Sequence, residues 1–187
     1  MAIEVEIKLK IRDRQALAAK LTELGFRPGR LLRETDVYFR AAHHDFVKRD
    51  EALRVRETED LETGEKTAQL NFKGPKLDDV SMTRKEMETS VGDGETARAI
   101  LERIGFTSVI PVEKVRHYFH RGRLTACADQ VTGLGDFLEL EILTESEEGW
   151  SAALTEIEKV LRHAGYSMED TTQASYLSQL YFKLKNN

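Results

Sequence analysis

The chain has 187 residues, with 28 Lys and Arg against 33 Asp and Glu for a net charge of −5, which argues against a protein that grips nucleic acid by its phosphates, although clustered bases could still hold a small polyanion. A composition of 40% hydrophobic residues with only three prolines predicts one ordered domain over residues 1–187 with a core of real size. The lone Cys127 cannot close an internal disulfide, no apolar run approaches membrane-spanning length and the N-terminus has no basic-then-apolar leader, so the expected location is the cytoplasm, with no membrane partner.

Ile3 to Ile11 alternates strictly, so a strand there places Glu4, Glu6, Lys8 and Lys10 on one face and five branched aliphatics on the other. Asp13 is a suitable N-cap for a helix from Arg14 to Leu24, with Leu17, Leu21 and Leu24 at helical spacing and Gly25 to end it. Leu31 to Arg40 and Leu53 to Glu59 read as strands, with a loop around His43, His44 and Asp45 between them. The turn at 62–65 makes Thr67 to Lys73 the hairpin partner, which Gly74-Pro75 should stop. Met82 to Val91 is strand-like, and Glu95 to Ile104 has helical periodicity through Ala99, Ile100 and Ile104. Val112 to His120 and Arg123 to Val131 pair as a second hairpin, and Asp136 to Leu143 follows as a strand. A helix from about Ser151 to His163 comes next. The tail from Ser175 to Leu184 reads as a helix with a buried stripe of Tyr176, Leu177, Leu180 and Leu184. The echo between Leu24-Gly25-Phe26 and Ile104-Gly105-Phe106 hints at a duplicated half: strand, helix, then a run of strands.

Charge recurs at alternate positions in nearly every strand: Arg54 and Arg56, Lys73, Arg84 with Glu86 and Glu88, Lys114 and Arg116, Glu139 and Glu141. So many charged faces imply one shared polar interior. About eight strands closed into a barrel would remove the sheet edges and surround a small ligand. The expected class is therefore α+β: a closed eight-stranded antiparallel barrel with a charged lumen and helices packed outside.

Lys8, Arg54, Arg56, Lys73, Lys114 and Arg116, with Arg84 as a further member, form a concentration of positive charge that an anion such as a triphosphate would neutralise. Glu4, Glu6, Asp129, Glu139 and Glu141 would repel phosphates unless a hard divalent cation, Mg²⁺ or Mn²⁺, stood between them. The alternative is that acids and bases neutralise one another as cross-strand salt bridges.

These residues resemble the CYTH superfamily, the triphosphate tunnel metalloenzymes. The resemblance begins at Glu4-x-Glu6-x-Lys8. It runs on through Leu53-Arg54-Val55-Arg56, Phe72-Lys73-Gly74-Pro75, Thr83-Arg84-Lys85-Glu86-Met87-Glu88, Glu113-Lys114-Val115-Arg116, Asp129 and the segment from Gly133 to Glu141. The Gly-Leu-Gly-Asp-Phe run and Ser175-Tyr176-Leu177 look like its CyaB-type, class IV adenylyl cyclase branch. The resemblance implies a tunnel in which Lys8, Arg54, Arg56, Lys73, Lys114 and Arg116 hold a triphosphate and Glu4, Glu6, Glu139 and Glu141 hold the metal. Asp129 would lie near the reacting phosphate, and Glu6, Asp129 and Lys73 would act in catalysis. Arg84, Glu86 and Glu88 would line the tunnel or support it through ion pairs. The implied reaction is ATP to cyclic AMP and pyrophosphate. The alternatives are hydrolysis of inorganic, thiamine or nucleoside triphosphate, and, outside enzymes, a non-catalytic module that binds triphosphate or polyphosphate. A homodimer is reasonable on the same resemblance.

Other residues carry plainer expectations. His43-His44 lacks the spaced partners of a zinc site, and Cys127 lacks the partners of a nucleophile. Tyr38 and Phe39, like Tyr118 and Phe119, face opposite ways, so one of each pair belongs to the core and a lumenal Tyr could touch a base. Trp150 anchors the start of the third helix.

Overall fold

The computed structural model describes residues 3–77, 81–144 and 147–186. In chain order it contains β1 (Ile3–Lys10), α1 (Arg14–Glu23), β2 (Arg27–Ala41), β3 (Ala52–Asp60), β4 (Lys66–Lys76), β5 (Arg84–Val91) and α2 (Gly94–Arg103). After these come β6 (Phe106–Ser108), β7 (Val112–Arg121), β8 (Leu124–Val131), β9 (Gly135–Thr144), α3 (Glu147–His163), a 3-10 turn (Met168–Asp170) and α4 (Tyr176–Lys185). Eight strands pair antiparallel in the order β3-β4-β5-β1-β9-β8-β7-β2, and β2 returns to β3 to close the barrel. The three-residue β6, absent from the sequence expectation, is appended to the outer end of β2 through Phe39 to Ala41. The plan of strand, helix and three barrel strands occurs twice, as β1-α1-β2-β3-β4 and as β5-α2-β7-β8-β9. The shared echo has a backbone cause: Gly25 and Gly105 both end a helix at positive φ, +82° and +102°, where a side chain would be strained.

Local chemistry accounts for the helix starts. The Asp13 carboxylate accepts from the backbone N–H groups of Gln15 at 2.8 Å and Ala16 at 3.0 Å, and Asp93 accepts from Thr96 at 2.6 Å, which satisfies donors the helix itself cannot. The barrel is covered from outside. Val5, Ile7, Leu9, Leu124, Ala126, Leu138, Leu140 and Ile142 on the outward faces pack with Leu17 and Leu21 of α1 and with Ala153, Ile157, Val160 and Leu161 of α3. Trp150 packs against the same core from the start of α3, as expected. A separate cluster of Val112, Val131, Phe137 and Tyr176, with Leu177 and Leu180 alongside, seats α4 against one rim of the barrel.

Three expectations need correction. β4 does not stop at Gly74-Pro75 but continues to Lys76, because the register shifts between Lys73 and Lys76 and the bulge accommodates a residue with no N–H to give the ladder. The buried face of α2 is Ala97 and Leu101, packed on Val37, Phe39 and Val55; Ile100 and Ile104 are 56% and 62% exposed. The short helix bridges a curved barrel wall and reaches it along only one narrow stripe. Leu184 is likewise exposed, since α4 has run past the barrel rim by its last turn. Among the described residues no helix is long and apolar enough to cross a membrane.

Candidate functional site: a charged barrel interior

The strand register assembles the interior. Alternation sends one set of side chains outward to the helices and the other inward, and the antiparallel pairing sets inward residues opposite one another: Glu6 with Glu141, Lys8 with Glu139, Arg116 with Asp129, Tyr38 with Arg54 and Arg54 with Asn71. Glu6, Lys8, Lys114, Arg116, Asp129 and Glu139 are all buried. The sequence expectation of a shared polar lumen is therefore what the fold builds.

Each expected phosphate ligand in that lumen already has a carboxylate. Arg116 makes a bidentate pair with Asp129, Nε at 2.7 Å and Nη2 at 2.5 Å, and also bonds Glu139. Lys8 Nζ lies 3.6 Å from Glu6 and 3.5 Å from Glu139, and 4.5 Å above the ring of Tyr176. Lys73 Nζ is 3.5 Å from Glu4 and bonds Glu86.

Two acids that the sequence reading did not single out organise the remaining bases. Asp36 accepts from Arg54 at 3.2 Å, from Arg56 at 2.6 and 2.8 Å and from Lys114 at 3.0 Å. Glu34 lies 2.8 Å from Lys114 and 3.2 Å from Arg56. Burial works to raise the Asp36 carboxyl, but Arg54, Arg56 and Lys114 hold it well below the ordinary carboxylate range. Glu34 is held at about 2, burial again being outweighed by Arg56 and Lys114. The signal was present in the alternation of Arg33-Glu34-Thr35-Asp36-Val37-Tyr38, which puts Glu34, Asp36 and Tyr38 on one face.

The four expected metal ligands divide. Glu4, Glu6 and Glu141 are all pushed up, first by burial; Glu139 adds to the effect at Glu6, and Glu86 to that at Glu4. For Glu139 burial acts in the same direction, but Arg116 and Lys8 hold it low. Among the described residues no three acidic, imidazole or thiol side chains gather closely enough to hold an ion as they stand. The reason is visible in the ion pairs: the Lys8 ammonium stands between Glu6 and Glu139, and the Lys73 ammonium between Glu4 and Glu86. The donor chemistry nonetheless fits Mg²⁺ or Mn²⁺, because the set offers only carboxylate oxygens, and burial pushes three of its members up, an effect that a nearby cation would oppose. An ion there would take over the part now played by the two ammonium groups.

Asp129 is fully buried with both oxygens engaged, by Arg116 and by the Tyr176 hydroxyl at 2.9 Å. As arranged, it orients Arg116. The Arg84 guanidinium is directed to the Asp50 carbonyl at 2.6 Å, the Gly74 carbonyl at 2.7 Å and the Asp50 carboxylate at 3.1 Å, so it fastens the end of β4 to the β2–β3 connection. Glu86 lines the lumen beside Lys73, whereas Glu88 is exposed. Tyr38 and Tyr118 face inward, with their hydroxyls on Arg54 at 3.3 Å and Glu34 at 3.1 Å, while Phe39 and Phe119 are buried on the outer side. Cys127 is buried and its thiol is raised by desolvation, as suits a spectator. His44 bonds Glu51 at 2.6 Å, and His43 meets the edge of Phe106.

Comparison with known proteins agrees with this geometry. The CYTH domain family model matches residues 2–176. Over 175 residues the chain is 37% identical to MJ0240 of Methanocaldococcus jannaschii, named as a candidate adenylate cyclase, covering 94% of this chain and 97% of that protein. It is 28% identical over 148 residues to the adenylate cyclase CyaB of Aeromonas hydrophila, covering 77% of this chain and 71% of the relative. The structure of PH1819 from Pyrococcus horikoshii OT3 superposes with a TM-score of 0.88 at 34% identity, covering 96% of this chain and 99% of that one.

Proposed function

From the premise that the chain belongs to the CYTH domain family, we propose that it is a divalent-metal-dependent enzyme of the cytoplasm that converts ATP to cyclic AMP and pyrophosphate. The observation that carries the reading is the gathering of Lys8, Arg54, Arg56, Lys73, Lys114 and Arg116 on the inner face of one closed barrel, each beside a carboxylate. Six bases around a small volume match the charge and the many acceptor oxygens of a triphosphate. The paired acids keep those bases in place until the phosphates take them over.

The lumenal Arg and Lys residues bind the phosphate chain and offset the charge that grows on it as the bond to the leaving pyrophosphate breaks. Arg116 is the most constrained of them, since Asp129, Glu139 and, through Asp129, Tyr176 fix its guanidinium. The other bases orient the triphosphate for in-line attack: the ribose 3′-oxygen bonds to the α-phosphorus, its proton passes to water, and the bond from the α-phosphorus to the leaving pyrophosphate breaks. Glu4, Glu6, Glu139 and Glu141 would hold a divalent cation, which supplies Lewis-acid stabilisation of phosphoryl charge when bound. Release from these acids would free the Lys8 ammonium for phosphate and would leave Lys73 with Glu86 as its remaining acidic partner.

The test is an end-point reaction with Mg²⁺ or Mn²⁺, offering ATP, thiamine triphosphate and inorganic triphosphate separately and resolving the products. Cyclic AMP with stoichiometric pyrophosphate is the expected outcome. Orthophosphate without cyclic AMP would make the protein a tunnel triphosphatase. Tight binding with no product from any of the three would make it a non-catalytic triphosphate-binding module.

A further inference from the structure

We infer that Arg54 and Asn71 form a recognition point for the organic part of the substrate, so that the lumen is built for a nucleoside triphosphate and not for inorganic triphosphate. This rests on the triphosphate reading and narrows it. Among the described residues, three buried polar atoms on the inner wall have no hydrogen-bond partner: Glu34 Oε2, which is offset by the charges of Lys114 and Arg56 at 2.8 and 3.2 Å, and the Nε donor of Arg54 and the Oδ1 acceptor of Asn71, which have no such compensation. The last two belong to residues directly opposite each other on β3 and β4, and Asn71 is only 2% exposed. A buried group left unpaired is costly, and native proteins leave few.

A donor and an acceptor on facing residues could have satisfied each other. They are kept apart by their other bonds. The guanidinium of Arg54 is drawn toward β2, where it donates to Asp36 at 3.2 Å and to the Tyr38 hydroxyl at 3.3 Å. The amide of Asn71 is drawn toward β5, where Nδ2 donates to Glu86 at 3.1 Å. That bond also fixes the orientation of the amide, since turning it over would set its oxygen against a carboxylate. The acceptor therefore cannot be exchanged for a donor.

The chemistry of the missing partner follows. A phosphate chain offers acceptors and could satisfy Arg54 Nε, but it has no donor for Asn71 Oδ1. A group presenting an N–H or O–H beside an acceptor serves both atoms. The ribose hydroxyls and the amino-pyrimidine edge of adenine have that character, and Tyr38, opposite Arg54 in the same row, adds an aromatic surface next to them.

The experiment uses the intact protein and equilibrium calorimetry, with Ca²⁺ replacing Mg²⁺ and product formation checked. Wild type is titrated with ATP, purine riboside triphosphate, the 2′- and 3′-deoxy forms of ATP, and inorganic triphosphate. Removal of the donor that reaches Asn71, the 6-amino group or one hydroxyl, should weaken binding about tenfold, and the analogue that does so identifies the donor. In Asn71→Ala and in Asn71→Leu, ATP binding should fall about tenfold relative to inorganic triphosphate. If no ATP analogue binds more than about twofold weaker than ATP, or if both variants lose ATP and inorganic triphosphate in equal proportion, the inference is overturned while the triphosphate reading stands. Failure of wild type to bind any triphosphate would overturn both. Should the variants not fold, the analogue series on wild type decides alone.

Discussion

Replacing Asp36 by Asn tests whether the lumenal bases are a poised anion site. Asp36 is 1% exposed and serves Arg54, Arg56 and Lys114 together. Its loss leaves Glu34 facing Arg56 and Lys114, and Arg54 without a carboxylate within bonding distance among the described residues. Breaking a buried ion pair from one side costs about 3–5 kcal/mol, which for a chain of this length lowers Tm by about 6–20 °C. A bound triphosphate should return much of that loss by pairing with the same three cations. Thermal unfolding of wild type and Asp36→Asn, each with and without inorganic triphosphate, measures both effects. The expected result is a large fall in Tm without ligand and a ligand-induced rise greater in the variant than in wild type. A fall under about 2 °C, or equal rises in the two proteins, would refute the reasoning, because the cations would then not depend on an anion at that point.

Other outcomes follow from the same geometry. Glu6→Gln should abolish turnover while leaving thermal stability within about 1 kcal/mol of wild type, since burial already disfavours the charged form of Glu6; a stable variant that turns over normally would remove Glu6 from the metal set. Tyr176→Phe deletes the hydroxyl donated to buried Asp129 and should cost about 1–3 kcal/mol in urea unfolding, with a loss below about 0.3 kcal/mol speaking against that bond. Glu34 titrates at about 2 in the folded chain and near 4.3 when unfolded. Its depressed folded value means that it adds stability above the unfolded pKa and loses it as pH falls from about 4.3 toward 2. Urea unfolding across that range should fall more steeply for wild type than for Glu34→Gln, and parallel curves would show that Glu34 contributes nothing there. Ile157→Ala, at a fully buried site where α3 meets the barrel, should cost about 2–5 kcal/mol in the same assay.

Much of this architecture is legible in the amino-acid sequence, because period-two alternation is a strong signal when both faces are constrained. Glu4-Val5-Glu6-Ile7-Lys8 can face a polar lumen and an apolar helix layer in only one register. The partners within the lumen were less legible, since alternation states which face a residue takes and not which cross-strand neighbour it meets. Asp36 alternates with Val37 of the outer core and shares its strand face with Glu34 and Tyr38, so its face was readable, but its service to Arg54, Arg56 and Lys114 arises from the pairing of β2 with both β3 and β7. The face of α2 is not legible for a different reason: Ile100 and Ile104 keep helical spacing with one another, yet Ala97 and Leu101 are the residues that meet the barrel wall. Asn71 gave no signal at all, because a single Asn in a strand becomes informative only once its neighbours are seen to leave its carbonyl unpaired.

The dependence of turnover on divalent metal, measured with ATP for wild type beside Glu6→Gln, tests the division of the lumen into phosphate-binding bases and metal-binding acids most directly. The account predicts no cyclic AMP in chelator, saturable recovery with Mg²⁺ or Mn²⁺ in wild type, and no recovery in the variant. Full turnover in the presence of chelator would contradict it.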